Sequence, residues 1–137
     1  MKVTPYLTFG GNCEEAMAFY AQTLGGKISL LMRFNEMSEF DAPEEIGHMI
    51  AHITLDLGDG RFLFASDTFE LENYTGIEGV SLHVSRDTLD DAHVLFDKLR
   101  AEGATVMPIA KMSWSEGFGM CRDKFGVGWM VDYAGSS

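Results

Sequence analysis

The chain has 137 residues, enough for one domain with a core of its own, and its 46% hydrophobic and 23% charged content is that of a globular protein. A formal charge of −11 argues against nucleic acid and anionic membrane surfaces as partners. No apolar run is long enough to span a bilayer, and the opening Met-Lys-Val-Thr-Pro lacks the apolar stretch of a secretion signal, so a cytoplasmic location is expected.

Val3 to Phe9 reads as a strand, with Leu7 and Phe9 on one face and Tyr6 and Thr8 on the other. Gly10-Gly11 turn the chain. Asn12 is the expected N-cap, with Glu15 completing a capping-box variant, and a helix follows to about Leu24 with Ala16, Phe19, Tyr20 and Leu24 as its apolar stripe. Cys13 falls in the first turn, where the helix dipole lowers a thiol pKa, but Glu14 and Glu15 oppose that, and an inert thiol is expected. With Cys121 it makes only one pair of cysteines, which fits a reducing compartment. Gly25-Gly26 end the helix.

Lys27 to Phe34 is the second strand. The acidic stretch Asn35 to Gly47, with Pro43, reads as a mobile loop and a candidate lid. His48 to Leu57 alternates: Met49, Ala51, Ile53 and Leu55 face one way, and His48, Ile50, His52, Thr54 and Asp56 the other. Gly58-Asp59-Gly60 is a hairpin turn into Arg61 to Ser66, with Leu63 and Ala65 opposite Phe62, Phe64 and Ser66. Asp67 to Gly79 has no periodicity.

The pattern then restarts. Val80 to Ser85 is a strand, and Asp87 or Thr88 caps a helix with Ala92, Leu95, Phe96 and Leu99 as its stripe. Gly103 ends the helix, Ala104 to Met107 is a strand closed by Pro108, and Lys111 to Arg122 and Val127 to Tyr133 are the last two strands. The order strand-helix-strand-strand-strand thus occurs twice, about 1–68 and 79–135. Val84 follows Phe9, and Asp87 follows Asn12, by 75 positions each, as a duplication would give. The expected class is α+β, one domain of paired βαβββ modules, each helix covering one face of a curved mixed sheet. That covered face would carry Leu7, Phe9, Ile53, Leu55, Leu63, Ala65, Val80, Leu82, Val84, Trp129 and Val131.

Alternation assigns the other face to Tyr6, Thr8, His52, Thr54, Phe64 and Ser66 in the first module. In the second it assigns Ser81, His83, Trp114, Glu116, Phe118 and Met130. Aromatic rings with a few hydroxyls and two imidazoles suit a small-molecule site; the plain alternative is a solvated sheet face. His48 and His52 have helical metal-ligand spacing, but on a strand they stand roughly 13 Å apart and cannot clasp one ion. His52 with His83 is the better pair. Gly117-Phe118-Gly119 lacks the strand-to-helix context of a phosphate loop and reads as strand glycines admitting a close approach. Asp123-Lys124-Phe125-Gly126 reads as a turn, Trp129 as packed under a helix, and the methionines as core filler, with Met32, Met112, Met120 and Met130 able to soften a pocket.

Pro5 to Phe9, Gly11 to Ala16, Phe19-Tyr20, Ile50-Ala51-His52, Ser66-Asp67, and above all Trp114, Gly117-Phe118-Gly119, Asp123, Phe125-Gly126 and Trp129-Met130 resemble PhnB-like proteins. These form a branch of the glyoxalase/bleomycin-resistance/dioxygenase, or vicinal oxygen chelate, superfamily. The resemblance implies paired βαβββ modules, a homodimer and a cavity under each curled sheet. Positions that look like the metal ligands of glyoxalase I fall at Thr4 or Tyr6, Ser66, Gly79 or Ser81, and Met130, and the sequence departs from that ligand pattern at nearly all of them. No glycine-rich cofactor loop supports methyl transfer.

The expectation is therefore a small-molecule-binding protein without cofactor or metal, as the bleomycin-resistance proteins are. Its apolar and aromatic site is lined by Tyr6, His52, Phe64, Trp114, Phe118 and Met130, with His52 as polar anchor. The alternative is a glyoxalase- or dioxygenase-like lyase or isomerase. There His52 or His83 would hold a divalent ion with Glu116 or Asp67, or Glu116 would act as catalytic base. A dimer with a vestigial pocket is a third reading.

Overall fold

The computed structural model describes residues 1–135. The chain divides into two units, Met1–Gly76 and the remainder from Ile77. The first contains β1 (Tyr6–Phe9), α1 (Cys13–Leu24), β2 (Lys27–Arg33), β3 (Ile50–Gly58) and β4 (Arg61–Asp67). The second contains β5 (Ser81–Ser85), α2 (Leu89–Arg100), β6 (Ala104–Met112), β7 (Ser115–Arg122) and β8 (Gly128–Tyr133). The sheets have the same plan: order β1-β4-β3-β2 and β5-β8-β7-β6, the first pair parallel and the other two antiparallel. The repeat read from the sequence is thus a repeat of topology.

In the first unit Leu7, Phe9, Ile53, Leu55, Leu63 and Ala65 are buried. Against them α1 sets Cys13, Ala16, Met17 and Tyr20, a stripe at i, i+3, i+4 and i+7. Met17 takes the place expected of Phe19 and Leu24, which are only half-buried. In the second unit Ala92, Leu95, Phe96 and Leu99 of α2 are buried, as are Trp129 and Val131 of β8. Val80 lies outside β5 and is exposed, so it does not belong to the covered face. Gly117 and Gly119 let α2 close on β7: a Cβ at Gly117 would stand 2.5 Å from Leu89 Cδ1, and one at Gly119 3.0 Å from Phe96 Cε2.

The helices start differently. Thr88 caps α2, its hydroxyl accepting from Asp91 N at 3.0 Å. Asn12 makes no such bond at α1. There the carboxylate of Asp67, from the end of β4, accepts from Gly11 N and Cys13 N at 2.9 and 3.0 Å through Oδ1, and from Ile50 N at 3.0 Å through Oδ2. A charged acceptor at a helix N-terminus outdoes a neutral amide, which leaves Asn12 exposed.

The Asn35–Gly47 loop is tied down at both ends. Phe34 N donates to Met49 O and Asn35 N to Gly47 O, each at 3.0 Å, continuing the β2–β3 pairing. Phe34, Phe40 and Phe69 pack together, with centroids 5.4 to 6.1 Å apart. Arg33 forks onto both oxygens of Glu14 at 3.0 Å and donates to His48 O at 2.8 Å, joining β2 to α1 and the loop base. These contacts describe a strapped segment rather than a free lid. Pro108 does not close β6, which continues to Met112. β6 is the sheet edge and carries register shifts on both sides of Pro108, where a residue without an N–H fits. Trp114 lies in the turn between β6 and β7 rather than in a strand. Among the described residues no helix is long and apolar enough to cross a membrane.

Candidate functional site

The face of the first sheet away from α1 carries Tyr6 and Thr8 on β1, His52 and Thr54 on β3, and Phe64 and Ser66 on β4. Register sets Tyr6 and Thr54 on either side of Phe64, and Thr8 beside Ser66. His52, one pair further along β3, reaches both rings: its centroid is 5.6 Å from Tyr6 and 5.2 Å from Phe64, and Tyr6 stands 6.1 Å from Phe64. Phe62 extends the cluster, 6.2 Å from Phe64.

A polar chain runs along its edge. Tyr6 Oη lies 3.1 Å from His52 Nδ1, and His52 Nε2 lies 2.9 Å from Thr54 Oγ1. A neutral imidazole has one donor and one acceptor, while each hydroxyl can serve as either, so the chain is satisfied in both directions. The ring of His52 is therefore held at both nitrogens while Tyr6 stays 49% exposed. The β2–β3 register slips between His52 and Ile50, so alternation ends there: Ile50 is 1% exposed and donates its N–H to Asp67.

In the second unit the face away from α2 carries His83 and Ser85 on β5, Met130 and Asp132 on β8, and Glu116, Phe118 and Met120 on β7. Asp132, which alternation with Met130 places on this face, was absent from the expected site. Ser85 Oγ donates to its Oδ1 at 2.7 Å, and His83 Nε2 lies 3.3 Å from the same oxygen. Trp114, 64% exposed in its turn, meets Phe118 edge to face at 5.7 Å. Glu116 is exposed, and no hydrogen bond or ion pair joins its carboxylate to another described residue.

Tyr6, His52 and Phe64 thus come together in one unit, and Trp114 and Phe118 in the other. Asp67 is not available as a partner of His52: it points to the covered face with both oxygens engaged. Among the described residues no three His, Cys, Asp or Glu side chains gather as a metal-holding group. Burial, with the charges of Asp67 and Glu14 beside it, pushes the Cys13 thiol far above its ordinary range, and burial pushes Cys121 up to about 11. Neither is a nucleophile near neutral pH.

Residues 1–132 match the family described as 3-demethylubiquinone-9 3-methyltransferase. The chain is 32% identical to the YjdN protein of Escherichia coli K12 over 96% of this chain and 95% of that one. Among solved structures, PA1353 from Pseudomonas aeruginosa is 35% identical, with a TM-score of 0.87 over 97% of both chains. The PhnB protein of Bacillus cereus is 32% identical, with a TM-score of 0.82 over 98% of this chain and all of that one. A glyoxylase/bleomycin resistance protein/dioxygenase domain from Frankia, 16% identical with a TM-score of 0.66 over 98% of both chains, shares the fold.

Proposed function

The chain belongs to the PhnB-like 3-demethylubiquinone-9 3-methyltransferase family, with the glyoxalase/bleomycin-resistance/dioxygenase fold, and from that premise we propose that it binds a small planar apolar or aromatic molecule without a divalent metal. The observation that carries this reading is the Tyr6–His52–Phe64 cluster. Three rings stand within about 6 Å of one another on a strand-built face, and the imidazole among them is fixed by two hydroxyls. Such a surface offers stacking area plus one oriented polar edge, and its side chains lose little freedom when a ligand arrives. The Trp114–Phe118 pair gives the second unit an aromatic surface of its own.

Methyl transfer, which the family description names, finds no support in the sequence motif nearest to a cofactor loop. Gly117-Phe118-Gly119 lies inside β7, with both glycines under α2. In this reading the protein acts in the cytoplasm as a homodimer, which sedimentation equilibrium tests.

Thermal-shift screening of planar aromatic compounds against the native chain and His52→Ala tests the binding reading. Hits should raise the melting temperature of the native chain and lose at least about tenfold in affinity in the variant, whose unliganded melting temperature stays close to native. Equal binding by both proteins would remove His52 as anchor. Elemental analysis of untagged protein prepared without chelator should find far less than one divalent ion per chain. A value near one would turn the reading to metal-assisted catalysis.

A further inference from the structure

One row of side chains crosses the second sheet from edge to edge. His83 on β5 pairs with Met130 on β8, Met130 with Met120 on β7, and Met120 with Met107 on β6. Directly paired residues share a face, so all four project from the same side of the sheet. That side lies away from α2. The alternate positions Trp129, Val131 and Cys121 are buried on the helix side, and Gly117 and Gly119 meet Leu89 and Phe96 there. The three methionines are half-buried and the imidazole is exposed, so they are not filling the core.

We propose that His83, Met130 and Met120 form a site for a soft monovalent metal ion, copper(I) or its analogue silver(I), with Met107 as an additional thioether. Neutral thioethers are poor ligands for hard divalent ions and good ones for copper(I), and an imidazole completes a mixed nitrogen–sulfur set. Reach is adequate: three adjacent strands span about 10 Å, and each methionine has three rotatable bonds with which to bring its sulfur over the central strand.

The surroundings of His83 are those of a metal-binding histidine. One ring nitrogen, Nε2, lies 3.3 Å from Oδ1 of Asp132, the same oxygen to which Ser85 Oγ donates at 2.7 Å. The other, Nδ1, has no hydrogen-bond partner among the described residues. A carboxylate behind the imidazole orients the ring and raises its basicity toward a metal. Asp132 also supplies the single negative charge that balances a monovalent ion. This site rests on the second unit alone, so its failure would leave the Tyr6–His52–Phe64 reading of the first unit standing, and the reverse holds too.

The test is a silver(I) titration of the full reduced chain, followed by native mass spectrometry and by NMR of methionine ε-methyl groups. One ion per chain is expected, moving the Met120 and Met130 methyl signals before the other methionines. Met120→Leu, Met130→Leu and His83→Ala should each weaken binding by about tenfold or more, while Met32→Leu in the first unit changes nothing. Leucine keeps the volume, and the methyl shifts of the native chain decide even where a variant folds poorly. Three results would overturn the proposal: no silver bound, binding unchanged in both methionine variants, or binding abolished in Cys13→Ala/Cys121→Ala. Zinc(II) binding as tight as silver(I) would also contradict it, since the ligand set would then not be selecting for softness.

Discussion

Each unit buries a carboxylate that gathers at least three N–H donors, Asp67 in the first and Asp123 in the second, and these donors lie at very different distances along the chain. Asp123 accepts from Phe125 N, Val127 N and the Trp129 indole, two, four and six residues downstream. It closes one turn, with Gly126 at φ 89 completing it, and seats one tryptophan. Asp67 accepts from Gly11, Cys13 and Ile50, which are 56, 54 and 17 residues upstream. It joins the end of β4 to the start of α1 and the start of β3. Two sheets of one topology are thus secured by a local device in one case and a long-range one in the other, and the long-range one should matter more to the whole unit.

Removing each carboxylate separates the two. Asp67→Ala strands three N–H groups at the junction of three elements and should cost about 3–5 kcal/mol, read as a lower urea midpoint. Asp123→Ala should cost less, about 2–3 kcal/mol, because a turn can rewet, and it should shift the Trp129 fluorescence as the indole loses its partner. A larger loss from Asp123 than from Asp67 would break the contrast. At the helix starts the order reverses, since only α2 has a local cap: Thr88→Ala should cost about 1 kcal/mol and Asn12→Ala about 0.5 kcal/mol or less. Cys13, under Asp67 in the same junction, should stay unreactive to a disulfide reagent at pH 8 in the native protein and react once urea opens it.

The smallest effect expected concerns Glu14. Its hydrogen bonds to Arg33 hold its pKa below the ordinary value of 4.5. A carboxyl lowered on folding contributes stability that is present above its unfolded pKa and is lost as pH falls through the folded one. Arg33→Gln should therefore flatten the decline in stability below about pH 4.5, and both side chains are exposed enough to keep the change slight.

The same distinction explains what could be read in the chain. Strand alternation follows from backbone geometry, so it assigns Tyr6, His52 and Phe64 to the open face of the first sheet and Trp129 to the helix side of the second. The Asp123 turn and the Thr88 cap are written in neighbouring residues. Asp67 is not: nothing near it indicates donors some fifty residues away, and Asn12 beside the helix looked the better cap. Pro108 read as a strand stop because edge position is a property of the sheet. Trp114 read as a strand residue because the β6–β7 turn has no glycine. Alternation also leaves strand register open. It could name His83, Met120 and Met130 but not line them up, and it could not bring Tyr6 and Thr54 to the two nitrogens of His52.

That arrangement around His52 is the centre of the account, and NMR mapping tests it most directly. Planar aromatic fragments titrated into the isotope-labelled chain should move the amide signals of Tyr6, His52, Thr54 and Phe64 first, and the same fragments should leave them nearly still in His52→Ala. Fragments that bind but move signals elsewhere, or that act equally on the variant, would contradict the assignment of this face as the binding surface.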